Sequence, residues 1–133
     1  MNEARVARFL SQFSRWASEQ SQVQGVALVG SHARGTATEA SDVDLVLLAD
    51  DPQLYLQDQS WVRTFGHVVG QDVEQYGNVV SLRVHYEGLF EVEFGLTSTV
   101  WAAVPLDPGT REVMAAGVKV LFERGPLLSR HVR

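Results

Sequence analysis

The residues with the means to do chemistry in this 133-residue sequence sit in two short stretches. Gly30-Ser31-His32-Ala33-Arg34-Gly35 is followed, after a five-residue gap, by Ser41-Asp42-Val43-Asp44-Leu45. Gly30 closes the apolar run Val26–Val29, so Ser31 opens a tight turn or a helix at the end of a buried strand. Exposed backbone N–H groups there, with a serine hydroxyl beside them, suit a phosphate. Gly35 lets the chain turn back sharply. Asp42 and Asp44 stand two apart at the start of the next strand, so both carboxylates leave one face. Their attachment points are about 6.6 Å apart. Like charges that close repel unless a cation sits between them. Magnesium accepts carboxylate oxygens while keeping water and substrate phosphates as its other ligands, and is the natural filler. A phosphate cradle beside such a pair is equipment for phosphoryl or nucleotidyl transfer. A two-metal site asks for a third carboxylate. In Phe90-Glu91-Val92-Glu93-Phe94 the apolar residues alternate inward and leave Glu91 and Glu93 together on the other face, and periodicity does not choose between them.

The block from Gly30 to Leu45, with Gly30-Ser31-x-Ala33-Arg34-Gly35 and Ser41-Asp42-x-Asp44-Leu45, resembles the signature of the polymerase-β-like nucleotidyltransferase superfamily. The resemblance implies a magnesium-dependent nucleotidyltransferase with Asp42, Asp44 and Glu93 as catalytic and metal-binding residues. Glu93 is preferred over Glu91 because the family places its third acid just before the strand's closing apolar residues, as in Glu93-Phe94-Gly95. Gly30, Ser31, Arg34 and Ser41 become the nucleotide-binding residues, with Gly30 and Ser31 holding the β- and γ-phosphates. Glu93 would draw the proton from an acceptor hydroxyl that attacks the α-phosphorus and expels pyrophosphate. The implied cofactors are Mg2+, two ions in the family's usual arrangement, and ATP or another nucleoside triphosphate as substrate. Acceptors in the superfamily range from aminoglycoside and lincosamide antibiotics to proteins and nucleic acid. Members with antibiotic acceptors add a helical domain or build the site across a dimer, so a homodimer or a helical partner protein is expected here. A rival reading within the resemblance is an antitoxin-type protein that binds, and sometimes adenylylates, a helical HEPN-type toxin.

Several elements must position these residues. Val6, Phe9, Leu10, Phe13, Trp16 and Ala17 recur at helical spacing, with Asn2 as N-cap. Val26–Val29 and Val43–Ala49 read as buried strands. Asp51-Pro52 starts a helix that runs weakly through Leu54, Tyr55, Trp61, Val62 and Phe65 to Gly66. The polar, glycine-containing stretch Val68 to Asn78 reads as loop. Val79–Tyr86 and Leu89–Leu96 read as a hairpin turning at Glu87-Gly88. After the turn-rich segment from Pro105, Asp107 or Thr110 caps a helix to Ala116, and Gly117 ends it in a left-handed conformation. Val118–Phe122 is a fifth strand and the tail from Leu127 a short helix. The expected architecture is one α/β (α+β) domain over 1–133, a mixed β-sheet of about five strands flanked by helices.

Composition narrows the partners. With 45% hydrophobic and 20% charged residues the chain is globular. It has no cysteine, which rules out disulfides, thiol nucleophiles and zinc ribbons and fits a cytoplasmic protein. A net charge of −5 with scattered arginines disfavours a nucleic-acid partner and tolerates a cationic acceptor. No apolar run approaches membrane-spanning length. His32 occupies the motif's variable position, and His67, His85 and His131 lack zinc-ligand spacing. Arg34 has a plainer reading as a surface partner of Glu39 or Asp42. Trp16 reads as core, and Trp61 and Trp101, near turn-rich segments, read as core or as platforms for stacking a base or acceptor.

Overall fold

A computed structural model describes residues 3–76, 79–104 and 106–132. The expected cap at Asn2 and the turn residue Pro105 lie outside those residues. The apolar stripe of the N-terminal segment forms helix α1 (Glu3–Ser18), which buries Val6, Phe9, Phe13 and Ala17. It lies on one face of a mixed sheet in the order β3-β4-β5-β2-β1-β6, comprising β1 (Val23–Val29), β2 (Val43–Ala49), β3 (Val68–Tyr76), β4 (Val79–Tyr86), β5 (Phe90–Thr97) and β6 (Lys119–Glu123). Strands β2 and β5 run parallel, and the other neighbouring pairs are antiparallel.

Among the described residues the mixed sheet, expected with about five strands, has six, because Val68 to Tyr76 is a strand rather than a loop. It pairs along its length with β4, Val73 opposite Leu82 and Tyr76 opposite Val79. As an edge strand it is held by backbone pairing with little burial, and Val69 and Val73 stay 63% and 54% exposed. An apolar/polar alternation is therefore missing from its sequence. The last two residues of the expected loop, 77 and 78, lie outside the described residues.

Under α1 the core is aromatic. Phe9 packs against Phe13, Phe65, Phe90 and Phe94, and Trp16 stacks on Trp61 with ring centroids 5.1 Å apart. The helix expected from Asp51 to Phe65 is broken into α3 (Gln53–Gln57) and a 3-10 turn (Ser60–Phe65). Asp58 causes the break, since its Oδ1 accepts from both the N–H and the hydroxyl of Ser60 and restarts the chain as a capped turn. Trp61 anchors the second piece by donating Nε1–H to the Tyr55 carbonyl at 2.9 Å.

The opposite face of the sheet is covered at one side only. There Ala27, Val46 and Leu48 pack with Trp101, Ala102 and Leu128. A 3-10 turn (Thr99–Ala102) and α4 (Pro108–Ala116) border this face. Asp107 caps α4 as expected, with Oδ1 accepting the Thr110 N–H and Oδ2 the Thr110 hydroxyl at 3.0 and 2.8 Å. Gly117 ends it with positive φ but an extended ψ (132°, 130°), so the left-handed helical stop expected there is not the one used. The tail helix is a single 3-10 turn, Ser129–His131. Among the described residues no helix is long and apolar enough to cross a membrane.

The hairpin between β4 and β5 departs from the expected two-residue turn by one position. Tyr86 pairs with Phe90, so Glu87, Gly88 and Leu89 form the loop. Gly88 and Leu89 take φ of 87° and 58°, and Leu89 is left 94% exposed instead of starting the strand. A slip of one residue reassigns every cross-strand partner, and here the shift decides what faces the acids of β5.

Candidate active site

Gly30 ends β1 and begins α2 (Gly30–Arg34) with φ of 72°. That backbone favours glycine, and the lack of a side chain is needed a second time. A Cβ placed there would overlap the Oδ2 of Asp44. The turn therefore lies directly over the Asp44 carboxylate because residue 30 is glycine. Gly35 closes α2 in the left-handed conformation, donating its N–H to the Ser31 carbonyl. Ser41 stands in the following loop, where its hydroxyl accepts the Thr38 N–H at 2.8 Å.

The sheet register assembles the acids. On the parallel β2–β5 pair Asp44 lies opposite Glu93, and on the β4–β5 pair Arg83 lies opposite Glu93 and His85 opposite Glu91. Opposed residues on neighbouring strands share a face, so these side chains and Asp42 stand together on the half of the sheet that the apolar patch leaves open. Arg83 Nη2 donates to Glu93 Oε2 at 3.2 Å, and its Nη1 lies 4.0 Å from Glu91 Oε2. His85 Nδ1 is 2.8 Å from Glu91 Oε1.

Crowding of like charge is written into the acidities. Burial, then the charges of Glu93 and Asp42 and a hydrogen bond with Glu93, push Asp44 up from its usual 3.8 to about 6, against the pull of Arg83. Glu91 is likewise raised, first by a hydrogen bond with Asp42, then by burial and the Asp42 charge, against His85 and Arg83. The acids thus stand as two pairs, Asp44 with Glu93 and Asp42 with Glu91. Among the described residues, no three histidine or acidic side chains are gathered closely enough to hold one metal ion as they stand. The donor set nevertheless fits a hard divalent cation, since it is made of carboxylate oxygens. Zinc, which favours nitrogen and sulfur ligands, fits less well.

A cleft of about 670 Å³ opens above this floor. Gly30, Arg34, Asp44 and Glu93 line it together with Trp101, Asp107, Glu112 and Val113. Asp42 lines a second hollow of about 620 Å³ together with His85 and Glu91. Of the residues singled out from sequence, the structure gathers Gly30, Arg34, Asp44 and Glu93 in the larger cleft. It sets Asp42 at the boundary of the smaller one. Among the described residues Ser31 and Ser41 are not part of either lining. Trp61 and Trp101 are packed, as in the core reading. Sequence reasoning missed Arg83 and His85 as parts of the site. Their alternation with Leu82 and Val84 marked them as the polar face of a strand, but only the three-residue loop sets them opposite the glutamates.

The nucleotidyltransferase domain family matches residues 10–91. No curated protein matches the sequence. Among solved structures, an aminoglycoside 6-adenyltransferase from Bacillus subtilis shares the fold with a TM-score of 0.60 at 15% identity, over 89% of this chain and 40% of that one. The Cid1 poly(U) polymerase does so with a TM-score of 0.54 in two complexes, one with MgATP and one with Mg 3'-dATP. In those two, identity is 14% and 12%, and 85% and 87% of this chain align with 35% and 36% of the polymerase. The chain therefore spans less than half the length of these structures. The motif turn packed on Asp44, the parallel pairing that delivers Glu93, and the match over most of the chain agree: this protein belongs to the nucleotidyltransferase domain family.

Proposed function

We propose that the chain transfers a nucleoside monophosphate, AMP from ATP, to a hydroxyl of a small-molecule or protein acceptor and releases pyrophosphate. The observation that carries this reading is the meeting of the Gly30 turn with the Asp44–Glu93 pair on the floor of one cleft. Gly30 and Ser31 hold the β- and γ-phosphates through the N–H groups of the turn and the serine hydroxyl. Arg34, in the lining of the same cleft, neutralises phosphate charge. Asp42, Asp44 and Glu93 hold magnesium, which when bound polarises the phosphoryl oxygens and offsets their charge. Glu93 takes the proton of the acceptor hydroxyl. The acceptor oxygen bonds to the α-phosphorus as the bond to the bridging oxygen breaks, and the electron pair leaves with pyrophosphate.

The acidic walls bear on the acceptor. Asp44, Glu93, Asp107 and Glu112 face the cleft against Arg34, an imbalance that favours an acceptor carrying positive charge. An aminoglycoside, the substrate class named for the Bacillus subtilis structure, meets that requirement. We place the enzyme in the cytoplasm, where ATP and magnesium are supplied. The test is incubation with α-labelled ATP and a panel of cationic and neutral hydroxylated acceptors. The expected result is label on a cationic acceptor with one pyrophosphate released per transfer. Release of inorganic phosphate from the γ-position instead would overturn the reading.

A further inference from the structure

We propose that Arg83 is a built-in counter-ion that holds the acid cluster together without a divalent cation and must release Glu93 when the cation binds. The inference rests on the metal-binding reading of the site. Arg83 is the cation placed among the acids: Nη2 bonds Glu93 at 3.2 Å and Nη1 approaches Glu91 at 4.0 Å. From β4 it faces both glutamates of β5, and beyond Glu93 lies Asp44 of β2. Its hold is partial, since its Nε is buried without a hydrogen-bond partner. A guanidinium tied fully into place would have that N–H satisfied. Glu93 Oε2 accepts from Arg83 while the same carboxyl is hydrogen-bonded with Asp44, so Glu93 links the guanidinium of β4 to the acid of β2. Glu93 Oε2 then has two competing claimants, the guanidinium and the incoming cation. Arg83 is on this account a positioning residue, acting through Glu93 on the site's affinity for the cation.

The test is thermal unfolding of wild type, Arg83→Gln and Arg83→Lys in EDTA and across a magnesium titration. In EDTA, Arg83→Gln melts below wild type because the acids lose their counter-ion. Its half-saturating magnesium concentration falls by about tenfold, the size expected for removing one charged hydrogen-bonded competitor. Arg83→Lys, which keeps the charge without the two-pronged reach, lies between. Equal magnesium midpoints in wild type and Arg83→Gln would overturn the proposal while leaving the metal site standing. If Arg83→Gln does not fold under either condition, the lysine variant decides by the same comparison of midpoints. No magnesium response in any of the three would sink the metal-binding reading itself, and this proposal with it.

Discussion

Replacing Asp44 by asparagine should make the protein more stable at neutral pH. The carboxyl has a usual value of 3.8 and stands at about 6 in the fold, raised by burial first and then by Glu93 and Asp42. A group raised in this way binds its proton more readily folded than unfolded, so its contribution is greatest below 3.8 and is lost as pH climbs through about 6. The gap of roughly two pH units, at 1.36 kcal/mol each, bounds the loss at about 3 kcal/mol. Asp44 is half-buried, and water screening reduces the expected figure to about 1–2 kcal/mol. Asparagine keeps the shape and carries no charge at any pH. Thermal unfolding in EDTA should therefore show Asp44→Asn melting some 3–8 °C above wild type at pH 8. The difference should shrink through pH 6 and vanish near pH 4. A variant no more stable than wild type at pH 8, or an advantage that grows on acidification, would mean that ionised Asp44 does not burden the fold.

Other outcomes follow from the same geometry. Gly30→Ala meets both a positive φ and the Asp44 carboxylate, and should cost about 2–4 kcal/mol in denaturant unfolding. Gly35→Ala, with a φ of 76° and open space around its Cβ, should cost only about 1–2 kcal/mol, and equal losses at the two glycines would contradict the packing argument. Tyr86 donates its buried hydroxyl to the Val62 carbonyl at 2.7 Å, so Tyr86→Phe should lose about 1–2 kcal/mol by the same measurement. Asp107→Ala should cost about 1 kcal/mol by removing the α4 cap, and should weaken nucleotide binding, because α4 is a wall of the cleft.

The motif from Gly30 to Leu45 was legible because its meaning is local. A strand end, a glycine turn and two same-face carboxylates can be read from spacing alone. The aromatic stripe of α1 was legible for the same reason, since one helix face supplies Phe9, Phe13 and Trp16 to a single core. Strand β3 was not, because an edge strand stabilised by ladder bonds has no buried face to leave an apolar signature. Arg83 and His85 were hidden by one residue of loop length. A two-residue turn would place Arg83 opposite Val92, and the turn that forms places it opposite Glu93. Leu89 misled because its apolar side chain suits a strand, whereas the loop holds it in a left-handed, exposed position. The rest of the cleft lining was out of reach as well, since Trp101 and α4 come from segments distant from the motif in sequence.

A thermal shift with MgATP puts the central claim to its most direct trial, comparing wild type with the Asp42→Asn/Asp44→Asn double variant. Nucleotide at a hundred times its dissociation constant stabilises a folded protein by about 2.7 kcal/mol, several degrees for a chain of this size. The account predicts that shift in wild type and none in the variant, whose own melting point in EDTA lies at or above that of wild type. An equal shift in both would mean that the nucleotide is held somewhere other than over Asp42 and Asp44.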